Sequence, residues 1–353
     1  MKKITVIIYL YFLLLVPLQN CKNPQIDYSK LPKVELHLHL DCSLSYEVVK
    51  KLNPSISYED YQKSFIAPRK CNDLADYISR AIKGVELMQT KEQLRLVTLD
   101  LFEQLKADHV IYAEIRFAPL LHTNKGLSSK EVVQIVNEAV SEGIRETGVE
   151  ARLILCTLRH YSEAQSMETV KLVKEFQGTN VAGFDIAADE AGFPIKNHIK
   201  AFEFAGANHL FCTAHAGEAQ GAVSVWETLK NFHPSRIGHG VRSIEDPQLI
   251  SFLKKENIHL EICPVSNIQT NIYDIIDKHT VDKIYQAGVS MSINTDARTI
   301  SDISLTSQYE LLAQVFHWNK THFLKCNLEA IEHAFISDEK KEVLKEKLRK
   351  GFE

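Results

Sequence analysis

Residues 35–41 read Glu35-Leu36-His37-Leu38-His39-Leu40-Asp41. In an extended strand, residues two apart face the same side, so His37 and His39 project together. Two imidazoles on one face form a metal clip, although a single pair is a weak signal because buried histidines more often serve the core. Other segments add matching groups: His215 in Thr213-Ala214-His215-Ala216-Gly217-Glu218, His239 in Gly238-His239-Gly240, and Asp296 in Asn294-Thr295-Asp296. These are five potential ligand groups, and three neutral imidazoles with one carboxylate drawn from them suit Zn2+, which accepts nitrogen and oxygen donors and in catalytic sites keeps a position open for water. The carboxylate-rich cage of Mg2+ or Ca2+ is missing from the pattern. The segment Asp185-Ile186-Ala187-Ala188-Asp189-Glu190 offers no lysine that could be carbamylated to bridge two metals. One ion per chain is the expectation.

These groups need elements that bring them together. Eight runs rich in β-branched residues recur after residue 30: Val34–His39, Val110–Phe117, Arg152–Leu158, Val181–Ala187, Leu210–His215, Arg236–His239, Ile258–Cys263 and Val289–Thr295. Most are near-continuously apolar, as strands covered on both faces must be, and stretches of helical spacing such as Ser129–Thr147 and Met167–Phe176 separate several of them. Eight alternating units predict an α/β fold of the (β/α)8 barrel type. The competing open doubly wound sheet lacks a G-x-G-x-x-G after the first strand. In a barrel, His37, His39, His215, His239 and Asp296 all fall on the C-terminal rim, where barrel enzymes build their sites. Residues 40–109 are too many for a plain crossover, so extra helices belong between strands 1 and 2. That segment emerges on the active rim, which makes the Phe65-Ile66 region a candidate lid or pocket wall and Phe65 a candidate substrate contact. Ser337-Asp338-Glu339 is an N-cap signal for a last surface helix.

The remaining composition narrows the class. The chain has 353 residues, 45% hydrophobic and 24% charged, which describes a packed globular protein. With 41 Lys and Arg against 45 Asp and Glu, the net charge is −4, and the electrostatic footprint of a nucleic-acid binder is missing. A neutral or small substrate fits better. None of the seven cysteines forms a C-x-x-C, and Cys156, Cys212 and Cys263 read as small buried core residues. Lys2 and Lys3 precede an uncharged apolar stretch, Thr5–Leu18, that is shorter than the roughly 20 residues of a membrane span but suits a secretory signal. Leu18-Gln19-Asn20-Cys21 resembles a bacterial lipoprotein cleavage box. Residues 1–21 are therefore read as an export signal, with Cys21 the point of lipid attachment and the only link to a membrane. Residues 22–353 are read as a single domain of a periplasmic or cell-envelope protein.

Taken together, the segments Leu31-Pro32-Lys33-Val34-Glu35-Leu36-His37, Ala113-Glu114-Ile115-Arg116-Phe117, His215-Ala216-Gly217-Glu218, Arg236-Ile237-Gly238-His239-Gly240, Glu261-Ile262-Cys263-Pro264 and Asn294-Thr295-Asp296 resemble the adenosine deaminases of the amidohydrolase superfamily. The resemblance implies that His37, His39, His215 and Asp296 hold the zinc, that Glu218 donates a proton to the purine, and that His239 assists the reactive water. It also implies that Asp41 meets a ribose hydroxyl and that the backbone N–H of Ala188 meets the purine, where the family carries Gly. The family often carries a second Asp after the metal-binding one. This chain has Ala297, with Arg298 and Asp302 as the nearest substitutes. The implied reaction is zinc-dependent hydrolytic deamination of adenosine, and of 2′-deoxyadenosine, to inosine and ammonia. The alternatives are a related deaminase of adenine, N6-methyl-AMP or aminodeoxyfutalosine, and a secreted nucleoside-binding protein without catalysis. The other zinc deaminase design, with H-x-E and P-C-x-x-C, is absent.

Overall fold

The computed structural model describes residues 26–353, so the proposed export signal and Cys21 lie outside the described residues. Eight strands follow one another: β1 (Lys33–His39), β2 (Val110–Phe117), β3 (Glu150–Leu158), β4 (Val181–Ala187), β5 (Phe211–Ala216), β6 (Arg236–His239), β7 (His259–Ile262) and β8 (Met291–Ile293). Neighbours pair in parallel in sequence order from β1 to β8. The barrel predicted from the eight apolar runs is the observed fold. The last strand is shorter than its run because a side chain takes over the ladder beyond it. Asn294 Oδ1 accepts from the N–H of Leu36 (2.8 Å) and His37 (3.1 Å), so an amide group, and not a backbone carbonyl, faces β1. Beyond it, Asp296 N–H donates to His37 O (3.0 Å) and His39 N–H to Asp296 O (2.8 Å), which closes the circle.

Five helices fill the β1–β2 connection: α1 (Tyr46–Leu52), α2 (Tyr58–Phe65), α3 (Leu74–Ile78), α4 (Ala81–Glu86) and α5 (Lys91–Ala107). The outer ring continues with α6 (Ser129–Thr147), α7 (Glu163–Glu175), α8 (Ile199–Ala207), α9 (Ala222–Phe232) and α10 (Pro247–Lys255). It ends with α11 (Pro264–Gln269), α12 (Val281–Ala287), α13 (Leu305–Phe316), α14 (Lys320–His333) and α15 (Asp338–Phe352). Local sequence explains several boundaries. Ser128 and Glu131 form a capping box at the start of α6, Gly148 ends it at φ +74°, and Ser337 caps α15 as expected.

The bore of the barrel is charged. Arg236 bonds Glu114 Oε2 (2.5 Å) and lies 2.7 Å from Glu261 Oε1. Arg116 donates to Asp185 Oδ2 (2.8 Å), Glu261 Oε2 (2.7 Å) and Leu36 O (2.6 Å). All of these side chains are fully buried, which ionised groups tolerate only when paired. This lattice sits directly beneath the rim.

Candidate active site

On the rim, His37 Nε2 and His39 Nε2 lie 3.3 and 3.5 Å from Asp296 Oδ1, and His39 Nε2 lies 3.2 Å from His215 Nε2. The lattice below fixes the rings. His37 Nδ1 meets Glu261 Oε2 at 2.9 Å, and His215 Nδ1 meets Asp185 Oδ2 at 3.1 Å. A carboxylate accepts, so each Nδ1 carries the hydrogen and each Nε2 keeps a lone pair facing the centre. Burial pushes His39 down to about 3, which keeps it neutral. Among the described residues, His37 Nε2 is buried with no hydrogen-bond partner. An orphaned acceptor, two further imidazole nitrogens and a carboxylate oxygen converging at these distances fit one cation with an N3O donor set. His239 and Cys263 form a second grouping that shares His37 and Asp296 with the first. Burial holds the Cys263 thiol well above its usual range, so it stays protonated, and the first grouping is the better donor set.

The cluster opens into a cavity of about 500 Å3 whose lining includes His39, Asp41, Ala188, His215, Glu218, His239, Asp296 and Ala297. Glu218 Oε2 is 3.5 Å from His239 Nε2, and its Oε1 receives weak bonds from Asn267 and Thr270, both 3.4 Å. Burial raises its pKa well above the carboxylate range, and the charges of Asp296 and Glu190 add to the effect. His239 is driven well down by burial and by His37, so it is a neutral base. Ser266 Oγ donates to Asp296 Oδ2 (2.7 Å) and orients that carboxylate. Asp41 stays ionised: burial opposes it, but the contact with His122, 3.9 Å away, and a backbone bond from Ala118 outweigh the burial. Ala188, His239 and Asp296 have φ of +79°, +61° and +67°. Three non-glycine residues at strand ends thus hold a left-handed conformation, the kind of strain that collects at functional sites.

Two expectations are corrected. Phe65 is buried against Tyr61, with ring centroids 5.2 Å apart, and packs into the main core without lining the cavity. The inserted segment does form a wall, but with Leu74, Tyr77 and Ile78 of α3 and Ala81, Ile82 and Val85 of α4. Phe65 points the other way because α2 needs its apolar face for the core. Arg298 and Asp302 do not replace a second Asp in the cavity: Arg298 is spent on Glu35 (2.7 Å) and Asp108 (3.0 Å), and Asp302 is exposed. Sequence reasoning missed Asp185, Glu261, Arg116 and Ser266 as supports. Charged residues inside otherwise apolar strands, such as Glu114 and Arg116 two apart in β2, were the available signal. Cys156, Cys212 and Cys263 are buried free thiols, as expected.

A barrel whose rim gathers three imidazoles, a carboxylate and a neutral carboxylic acid defines a metal-dependent hydrolase of the amidohydrolase type. The chain belongs to the adenosine deaminase family, whose model, described as adenosine deaminase, matches residues 32–351. An adenosine deaminase from Clostridium acetobutylicum is 35% identical over 325 residues, covering 90% of this chain and 97% of that one. Among solved structures, an adenine deaminase from Arthrobacter aurescens has a TM-score of 0.84 at 25% identity, covering 91% of this chain and 98% of that one. A zinc-bound amidohydrolase from Burkholderia ambifaria shares the fold, with a TM-score of 0.85 at 22% identity over 92% and 91% of the two chains.

Proposed function

We infer that the protein is an adenosine deaminase: adenosine and water give inosine and ammonia. The observation that carries this is one cavity holding an N3O donor cluster, a neutral Glu218 and an ionised Asp41. His37, His39, His215 and Asp296 would hold Zn2+, which supplies a Lewis acid that makes water nucleophilic near neutral pH. Glu218 gives its proton to N1 while water adds at C6, so no negative charge accumulates on the ring. His239, neutral and 3.5 Å from Glu218, takes one proton from the attacking water and passes it to the departing amine, and as the C6–N bond breaks the C6 hydroxyl returns its proton to Glu218, leaving the C6 carbonyl of inosine. Asp41 accepts from a ribose hydroxyl, and the Ala188 N–H donates to the purine edge.

Asp41 favours a ribosyl substrate over free adenine. Among the described residues, the cavity lining carries Glu86 and Asp41 but no lysine or arginine, so a 5′-phosphate dianion finds no counter-charge there. The reading is therefore nucleoside, not nucleotide. Residues 1–21 are read as an export signal that places this activity in the cell envelope. The test of function is the absorbance change when adenosine is added to zinc-loaded protein, with Glu218→Gln as control. The amide cannot donate an acidic proton, so kcat falls at least about a hundredfold while zinc stays bound. Near-normal turnover by that variant would remove Glu218 from its role.

A further inference from the structure

Glu190 stands just beyond β4, two residues after Ala188, and is 4% exposed. Its carboxylate accepts from the backbone N–H of Gly217 (2.7 Å), Glu218 (3.0 Å) and Gln220 (2.9 Å) and from the Ser224 hydroxyl (2.6 Å). Both oxygens are occupied, so Glu190 cannot itself serve the purine. What it does is suspend the turn that carries Glu218 from the neighbouring loop. That turn is tight: Gly217 has φ +68°, and a Cβ there would lie 2.4 Å from Val225 Cγ2. We propose that Glu190 is a positioning residue for the reaction, fixing the 217–220 turn so that Glu218 faces the ring held by the adjacent Ala188 loop.

Its charge has a second effect. The groups facing Glu218 are Asp296 from the end of β8, Glu190 from the β4 loop, His239 from β6, and Asn267 and Thr270 from α11 and its C-terminus. The two anions favour the acid form of Glu218, while the bonds from Asn267 and Thr270 oppose it, and burial exceeds both. Arg159 lies 4.0 Å from Glu190 but donates to His215 O (2.8 Å), so it offsets the charge only in part. Glu190 thereby both aims the donor and helps it keep its proton.

This inference rests on the deaminase reading, and the two are tested separately. Wild type against Glu218→Gln tests the reading. Glu190→Gln then keeps the size and removes the charge, and presents an amide donor to one of the backbone N–H groups. We expect kcat to fall about a hundredfold, the scale of a misplaced catalytic group, with KM within about threefold and with zinc content and melting temperature close to wild type. Glu218 acts protonated, so activity is lost as pH rises through its pKa. Without the Glu190 charge, that alkaline limb of kcat moves to lower pH, and Glu190→Asp returns it towards the wild-type position. Amide hydrogen exchange at residues 217–220 reads the anchoring without turnover and quickens in Glu190→Gln. Near-wild-type kcat, or a loss of kcat that merely follows a loss of folded protein with the limb unmoved, overturns the proposal. Fast exchange in the variant combined with an inactive wild type would keep the anchoring and discard the deaminase reading.

Discussion

Replacing Arg116 by Met should weaken the metal cluster from beneath. The substitution keeps an unbranched apolar stem and deletes the guanidinium bonds to Asp185, Glu261 and Leu36 O. Glu261 retains Arg236, but Asp185 keeps only His215 and the Cys156 thiol. Removing one partner of a buried ion pair strands the other charge and costs about 3–5 kcal/mol, which for a chain of this size lowers the melting temperature by about 5–10 °C. Asp185 relieves the strain by taking up a proton. A protonated Asp185 donates to His215 Nδ1, which moves the imidazole hydrogen to Nε2 and removes a lone pair from the centre. Zinc affinity should then fall about 10–100-fold, the usual effect of losing a partner behind a ligand. The pH dependence has a definite sign. Burial raises Asp185, but His215 and Arg116 hold it well below the ordinary range, and Glu261 is likewise depressed by its two arginines. Stability from these groups is complete above the unfolded carboxylate values and is lost as pH falls, so the variant's deficit is largest at neutral pH and narrows below about pH 4. Calorimetry of the metal-free protein from pH 3.5 to 7, with zinc competition against a chelator, measures both effects. A deficit independent of pH, or an unchanged zinc affinity, would refute the reasoning.

Elemental analysis of protein purified without added metal should find about one zinc per chain; two tightly held ions, or none with activity intact, would contradict the site. Ala297 is 2% exposed and lines the cavity beside Leu74 and Tyr77, so Ala297→Asp buries a carboxyl next to Asp296 that should stay protonated and donate to purine N7. The ratio of kcat/KM for adenosine over 7-deazaadenosine should rise about tenfold relative to wild type, and an unchanged ratio means another group already reads N7. Mass spectrometry of the mature protein should find Cys21 at the N-terminus, and an intact Met1 would dismiss export.

The rim was legible because its residues terminate apolar runs. An apolar strand in a barrel is covered on both faces, so His215, His239 and Asp296 stood out where the runs stopped, and their common face followed from the strand direction. The inserted helices were legible only as length. Which of their apolar residues turn to the cavity depends on how short helices pack, and nothing in the local pattern distinguishes Phe65 from Leu74 or Tyr77. The supports were harder still. Glu190 sits in a loop beside Asp189, and only the tertiary approach of the 217–220 turn shows that the Glu190 carboxylate collects four donors from the neighbouring loop while Asp189 accepts from Ala191 and Gly192 of its own turn. Arg298, adjacent to Ala297 in sequence, points to Glu35 and Asp108 on the far side of the loop.

The join between β8 and β1 has a mechanical meaning. Asp296 is bonded through its backbone to His37 and His39, and the side chains of the same three residues form most of the ion's cradle. The first and last strands are thus latched at one point by amide hydrogen bonds, and a coordinated ion would latch them there a second time. A ligand bridge between positions 37 and 296 closes a loop of about 260 residues, the long kind whose closure removes most freedom from the unfolded chain. An ion held there would be a rivet in the wall as well as a reagent. Its loss would slacken this seam and leave the ladders from β2 to β7 intact, making the metal-free protein a barrel with one loose stave.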